Sequence, residues 1–307
     1  MAPTPRAPRA PRTTHQVAVI GAGIAGMAAA TEAARCGLKT ALFDDGLLGG
    51  LITNVGAVHG HPGAEGTTGA DLVNTMLGEV LEAGVDYQPG TGTTLTAAND
   101  HWSLPGNSVT TRRVILATGA DLRTLGVPGE EALAGRGVSQ CAFCDGGLYK
   151  GKDVAVVGGG DGAFQEALHL AELCANVTMI LRGKKPRARP VFVRQAADLA
   201  NMHFRWNTEV QEIIGNDGVD AVRLEDSGGA EETLAIAAVF PFIGLAPRTA
   251  LVNAGKDDMG ALTVDAELQT DQPGLYAIGA ARAGYGGQIA HAIADGKTAA
   301  QAAWRSI

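Results

Sequence analysis

Cysteine is scarce in this chain: four among 307 residues, at Cys36, Cys141, Cys144 and Cys174. That is too few for a disulfide-stapled scaffold of this size. Long apolar runs are missing as well. No stretch reaches the ~18 residues that a helix needs to cross a bilayer, so a membrane is not an expected partner. Positive charge is in deficit, 24 basic residues against 32 acidic, a net −8. Such a balance argues against nonspecific binding to nucleic acid or to an anionic lipid surface. The first 14 residues repeat Ala-Pro-Arg without an apolar core, which is not the pattern of a secretory signal. They are expected to be a disordered tail, with a transit peptide as the rival reading of their arginines.

What remains is an aliphatic, glycine-rich chain, 46% hydrophobic with 43 glycines, long enough for two domains. Gln16-Val17-Ala18-Val19-Ile20 reads as a buried strand. Gly21-Ala-Gly23-Ile-Ala-Gly26 follows at once, then an alanine-rich helix to about Arg35, then a strand Thr40-Ala-Leu-Phe43 ending on Asp44-Asp45. Strand, glycine turn, helix, strand and acid in that order predict a dinucleotide site. Gly21 makes the tight turn, Gly23 lets a pyrophosphate approach the backbone, and Gly26 lets helix pack on strand. The helix start offers N–H groups to the pyrophosphate, and an acid about 20 residues on suits a ribose. Residues 49–69 read as a loop near a ligand, and His59-Gly60-His61 lacks the further ligands of a metal site. Apolar residues at Leu72, Val73, Met76, Leu77, Val80 and Leu81 predict an amphipathic helix over 71–84. Short strands separated by Gly, Asn and Pro fill 85–113, and Val114-Ile-Leu-Ala117-Thr118-Gly119-Ala120 closes the unit.

The order then repeats. Asp153-Val-Ala-Val-Val157 is a strand, Gly158-Gly-Gly160-Asp161-Gly-Ala163 a second glycine turn, 164–174 a helix, and Val177-Thr-Met-Ile-Leu181 a second strand. An Asn216-Asp-Gly218 turn follows, and Val239-Phe-Pro-Phe-Ile243-Gly244 echoes Val114 to Gly119. The fold class expected is therefore α/β, two Rossmann-like dinucleotide-binding domains with the second inserted into the first. The boundaries are 15–121 and 246–307 for the first domain and 122–245 for the second. Module one ends its second strand on acids, whereas module two has Arg182, Lys184, Lys185, Arg187 and Arg189 with no acid among them. Acids suit a ribose hydroxyl and arginines a 2′-phosphate, so module two is expected to prefer NADP. A solvated basic loop is the plain alternative.

Between the modules stands Cys141-Ala142-Phe143-Cys144-Asp145-Gly146. Two cysteines at this spacing can form a redox-active disulfide, and Asp145 can move the accompanying proton. Half a zinc site is the alternative, but no second CxxC or CxxH exists to complete it. A lone CxxC of this kind points to a reducing compartment, hence the cytoplasm. Cys36 and Cys174 close the two glycine-turn helices and read as packing residues.

From Val17 onward the chain resembles the low-molecular-weight thioredoxin reductases. The resemblance rests on Cys141-Ala-Phe-Cys144-Asp145-Gly146, on Tyr149-Lys-Gly-Lys-Asp153, and on Gly158-Gly-Gly-Asp-Gly-Ala163. It implies FAD in module one, and NADPH with the CxxC in module two. It further implies that Cys144 faces the flavin, Cys141 attacks a thioredoxin-like protein or small disulfide, and Asp145 is the acid. Domain rotation and a homodimer are implied too. The cofactor contacts implied are Gly21, Gly23, Ala25, Gly26, Asp44, Asp45, Gly50, Leu51, Ala117, Thr118, Gly119, Gly279, Ala280, Gln288 and Ile289 for FAD. For NADPH they are Gly158, Gly160, Asp161, Ala163, Arg182 and Arg187.

This chain departs from the family pattern at several of these positions. Leu51 stands for a glutamine, Gly60 for an asparagine, Ala280 for an aspartate, Gly287 for an arginine, and Leu181 and Gly183 for a histidine and an arginine. These changes bring in three alternatives: a ferredoxin-linked reductase, a dithiol oxidase, and a noncatalytic redox or nucleotide sensor on the same fold.

Overall fold

The computed structural model describes residues 14–46, 48–90, 95–98, 101–104 and 109–307. The expected tail falls outside them apart from Thr14, whose N–H donates to Thr110 O. The separators expected at 91–94, 99–100 and 105–108 fall outside as well. The chain divides into two compact units, 1–120 with 247–307, and 121–246.

The first unit begins with β1 (His15–Ile20), α1 (Ile24–Arg35) and β2 (Thr40–Asp44). Next come α2 (Gly69–Glu82), β3 (Asp86–Pro89), β4 (Thr96–Ala98), β5 (His101–Leu104) and β6 (Val109–Leu116). The sheet runs β3-β2-β1-β6-β5-β4. Its parallel part pairs Val17 with Thr40 and with Arg113. Val17 to Ile20 are all fully buried, as in a parallel sheet covered on both faces. Alternation splits the run between two cores. Val17 and Val19 pack with Met27, Ala29, Leu72 and Val80, while Ala18 and Ile20 pack with Phe43, Trp102, Leu104 and Leu262. α2 starts two residues before the expected position 71. Thr68 and Asp71 form a reciprocal capping box there, with the Asp71 N–H donating to Thr68 Oγ1 at 3.1 Å.

At β7 (Ala120–Leu122) the chain enters the second unit, which opens with the one-turn helix α3 (Ala142–Asp145). A parallel βαβ follows: β8 (Asp153–Val157), α4 (Asp161–Leu173) and β9 (Asn176–Leu181). α5 (Pro190–Ala197), β10 (Met202–Trp206), β11 (Thr208–Gly215), β12 (Val219–Asp226), β13 (Glu231–Ala235) and β14 (Ala238–Pro241) complete it. One sheet is β10-β9-β8-β14; the other is the antiparallel β11-β12-β13. α5, directly after the basic stretch, was not anticipated. Pro190 opens it at a position where a helix needs no N–H, and Phe192 and Ala196 bury its inner face.

The chain leaves this unit through β15 (Leu245–Pro247), hydrogen-bonded to β7. It then adds β16 (Leu275–Ala277) and α6 (Ile289–Arg305) to the first unit. β6 is long enough to carry β5 antiparallel along its first half and β16 parallel along its second.

α6 meets α1 at Gly296, where a methyl group would stand 2.6 Å from Ala25 O and 2.8 Å from Ala29 N. Only backbone-to-backbone approach fits that crossing. Gly296→Ala is therefore expected to lower stability by about 1–3 kcal/mol, measured as a shifted denaturant midpoint at unchanged slope.

Candidate functional site

In each unit the glycine turn is built by the same close approach. Gly21, at φ +105°, lies under the end of β6; a Cβ there would meet Ala117 O at 2.2 Å. Gly158, at φ +147°, lies under the end of β14; a Cβ there would meet Phe242 O at 2.3 Å. The backbone bonds match too: Ala117 N donates to Ile20 O, and Phe242 N to Val157 O, both at 2.7 Å. Neither Gly23 nor Gly160, the residues that begin α1 and α4, is capped by a side chain. Both helix starts thus keep the form that accepts a pyrophosphate.

Around the first turn the structure gathers most of the residues expected at the flavin. The Asp44 carboxylate accepts the Ala22 N–H on one oxygen and the Gly46 N–H, at 2.7 Å, on the other. It therefore locks the glycine turn, with exposed Asp45 beside it. Gly49 N donates to Ala22 O at 2.9 Å and pairs with Gly23 in a β-bridge, which pins Gly50 and Leu51 beside the turn. A Cβ on Gly279 would lie 3.0 Å from the Ala25 Cβ, so the Gly279–Ala280 turn packs on the start of α1. Thr118 Oγ1 donates to Arg248 O, and the Arg248 N–H donates to Gly119 O at 3.0 Å. Gln288 and Ile289 form the start of α6, again without a capping side chain.

One cluster here was not foreseen. Buried Asp295, on α6, accepts the Gly279 N–H at 3.0 Å and a two-pronged contact from Arg282 at 2.8 and 2.9 Å. Nearby Tyr285 is pushed up to about 12, by burial first and by the Asp295 charge second. Asp295 shows no helical or glycine signature in the sequence; only its fold partner Gly279 gives it a role.

The cradle fits the pyrophosphate and adenosine end of FAD, because the glycines, the uncapped helix start and the acid all stand in place. At the ribityl end, Ala280 and Leu51 offer no side-chain acceptor or donor.

In the second unit, the basic segment after β9 folds back on the glycine turn. The N–H groups of Arg187 and Ala188 donate to Gly159 O at 2.7 and 3.0 Å. Arg189 is drawn off to Asp161, its N–H at 2.7 Å and its Nε at 2.6 Å. All five cations are exposed, and Arg182, Lys184, Lys185 and Arg187 are the four not tied to Asp161. Asp161, expected at the nucleotide, thus also fixes the segment that carries them, and Ala163 sits buried at the third position of the turn.

Cys141 and Cys144 form a disulfide, with Cys141 as the residue preceding α3 and its sulfur accepting the Cys144 N–H at 3.1 Å. Ser139 Oγ donates to Asp145 Oδ2 at 2.6 Å and accepts the Cys141 N–H at 3.1 Å. Asp145 is thereby aimed back across its own turn. The Glu166 carboxylate, from α4, accepts the Ala142 N–H at 2.9 Å and also the Phe143 N–H. Burial pushes its carboxyl above the usual range, against those two hydrogen bonds. Gly146 allows α3 to approach α4; a Cβ there would meet Leu170 Cδ2 at 3.0 Å. Neither Ser139 nor Glu166 was picked out from sequence.

The other two cysteines cap helices, Cys36 after α1 and Cys174 after α4, and burial raises both thiols. His59 Nδ1 contacts Glu65 Oε1 at 3.0 Å. Among the described residues no group of three or more His, Cys, Asp or Glu is placed to hold a metal ion. No helix there is long and apolar enough to cross a membrane.

A family model described as pyridine nucleotide-disulphide oxidoreductase matches residues 15–296. The thioredoxin reductase of Listeria monocytogenes is 37% identical over 301 residues, covering 95% of this chain and 94% of the relative. That of Bacillus subtilis is 36% identical over 293 residues, covering 94% and 93%. The crystal structure of Lactococcus lactis thioredoxin reductase superimposes with a TM-score of 0.92 at 33% identity, covering 95% of this chain and 98% of that one. With both glycine turns, the closed CxxC and these full-length likenesses in place, the chain belongs to the flavin-dependent pyridine nucleotide-disulfide oxidoreductases, in the low-molecular-weight thioredoxin reductase family.

Proposed function

We propose that this protein passes electrons from NADPH through FAD to the Cys141–Cys144 disulfide, and from there to thioredoxin or a closely similar disulfide partner. The observation that carries the reading is the Cys141–Cys144 disulfide with Ser139 bonded to both the Cys141 N–H and the carboxylate of the adjoining Asp145. It lies in the same unit as a glycine turn overhung by exposed arginines. Bound FAD would supply the two-electron relay between a nicotinamide hydride and this disulfide.

The chain's own residues divide the remaining work. The first unit, through Gly21, Gly23, Gly26 and Asp44, holds the flavin nucleotide. The second, through Gly158, Gly160 and Asp161, holds NADPH, with Arg182 and Arg187 facing its 2′-phosphate. Reduction of the disulfide consumes two electrons, breaks the S–S bond and leaves two sulfur anions that take up protons. Cys141, as thiolate, then attacks one sulfur of the partner disulfide and forms a mixed disulfide. Cys144 attacks Cys141 Sγ, closes the ring again and releases the partner as a dithiol. Asp145 carries the proton at each thiol, and its bond to Ser139, which also holds the Cys141 N–H, fixes the carboxyl on the CxxC turn. A homodimer in the cytoplasm completes the reading, on the family resemblance and on the single CxxC of a reducing compartment.

Anaerobic titration of the purified flavoprotein tests the donor. NADPH is expected to bleach the visible flavin band much faster than NADH. Flavin untouched by either nucleotide would transfer the donor role to a ferredoxin-type protein, and Gly183, with Arg189 tied to Asp161, would be the cause. Cys144→Ser is expected to abolish disulfide reduction while the flavin content stays at the wild-type level; surviving turnover would remove this cysteine from the mechanism. Ser139→Ala, which frees Asp145 to turn away, is expected to slow turnover by about 10-fold to 100-fold, less than the whole of a general acid's contribution. Stopped-flow rates across pH, with flavin content as the control, check that value.

A further inference from the structure

Two acceptors, the Cys141 sulfur of the disulfide and the Glu166 carboxylate, converge on the backbone of the CxxC turn. The Cys141 sulfur takes the Cys144 N–H at 3.1 Å. Glu166 takes the Ala142 N–H at 2.9 Å and the Phe143 N–H. When the disulfide opens, a thiolate at Cys141 would draw on the same run of N–H groups, and hydrogen bonds of this kind are what ordinarily make a CxxC thiol acidic. Here a carboxylate already occupies two of them. We propose that Glu166 is a positioning residue of the redox centre, which holds the Ala142 and Phe143 N–H groups and by its charge restrains ionisation of the Cys141 thiol once the disulfide is opened.

The setting favours a local effect. Glu166 reaches the turn from α4, the helix into which the second glycine turn leads, so the redox turn and the nucleotide turn hang on one rigid element. Buried charges interact more strongly than exposed ones, because less solvent screens them. The other ionisable groups around this pair are few. α3 contributes Asp145, the turn after it Tyr149, and α4 itself His169, against the Phe143 ring, and exposed Glu172. α5 contributes Arg194 and, at its start, Arg189, which is paired with Asp161; β8 contributes Asp153, and β9 contributes none. Tyr149 is itself raised, by burial and then by Asp145, so it stays neutral near pH 7.

The sign follows directly. Two electrons open the S–S bond and create sulfur anions at Cys141 and Cys144, and protons complete the thiols. A negative neighbour disfavours the anion, so the thiol holds its proton to higher pH. Removing that charge must lower the thiol's pKa and, at pH values where thiolate forms, favour the reduced state. The inference rests on the proposed use of Cys141 for its catalytic meaning, but its test needs no turnover.

The test is the pH profile of Cys141 alkylation by iodoacetamide in dithiothreitol-reduced protein, read at the level of the peptide by mass spectrometry. In Glu166→Gln the side-chain carbonyl still accepts an N–H, so packing is kept while the charge is lost. The Cys141 profile is expected to move down by about one unit, a tenfold gain in thiolate below the midpoint. Glu172→Gln removes the same charge from an exposed place on the same helix and is expected to leave the profile in place. Glu166→Asp keeps the charge and withdraws it by one methylene, and its shift is expected to be smaller than that of E166Q. An unmoved or rising profile in E166Q overturns the proposal, as does an equal shift in E172Q, or a larger one in E166D. A loss of NADPH turnover with the alkylation profiles as expected would instead fault the electron path and leave this inference standing.

Discussion

The structure hangs on one close approach of backbone to backbone, made twice. The first glycine of each turn sits so near the carbonyl that ends a neighbouring strand that no side chain fits between them. Ala117 in one unit and Phe242 in the other supply that carbonyl, and each of those residues also donates its N–H back to the strand that begins the turn. The turn is thereby fixed at the C-terminal end of a central strand, where an uncapped helix start follows it. Everything specific to each unit is added around this frame. Asp44 and the pinned Gly49–Gly50 run dress the first, while Asp161 and the basic fold-back segment dress the second.

Because the frame is made of backbone, it tolerates losses at its rim. Leu51 and Ala280 lack the polar groups that relatives of this kind are expected to present, yet Leu51 follows a run bonded to Ala22 and Ala280 follows a glycine packed on Ala25. The path of the chain is kept where the side-chain chemistry is not. Asp295 explains part of this for Ala280: its carboxylate holds the Gly279 N–H and Arg282 together, so the turn is anchored without an acid at position 280.

Local patterns were therefore legible and long-range partners were not. Gly21, Gly158 and the two-residue spacing of Cys141 and Cys144 declare themselves because each is required by the conformation of its own neighbours. The repeat of strand, turn, helix and strand was visible for the same reason. Glu166 is 24 residues from Ala142, and its position within an alanine- and leucine-bearing helix reads as an ordinary solvated acid until α3 packs on α4. Arg189 looked like one more cation of a basic run, and only the fold-back places it on Asp161 rather than free for a phosphate. α5 was hidden because its eight residues are too few to show a helical period, and only the buried pair Phe192 and Ala196 marks its inner face.

The charge around the CxxC bears on the direction of electron flow. A dithiol–disulfide pair becomes a strong oxidant when its reduced form is stabilised, as by groups that favour a thiolate. Side chains bonded to this turn include Ser139 and Glu166, and Asp145 is part of the turn itself: one hydroxyl and two carboxyls. Carboxylates disfavour a thiolate and so leave the reduced pair readier to give its electrons away. Basic residues are gathered instead at the far end of β9, beside the second glycine turn, where the proposed function puts the nucleotide phosphate. The second unit thus keeps cations for the nucleotide and acids for the sulfurs, an arrangement suited to a disulfide that receives electrons and passes them outward, and opposed to one that extracts them from dithiols.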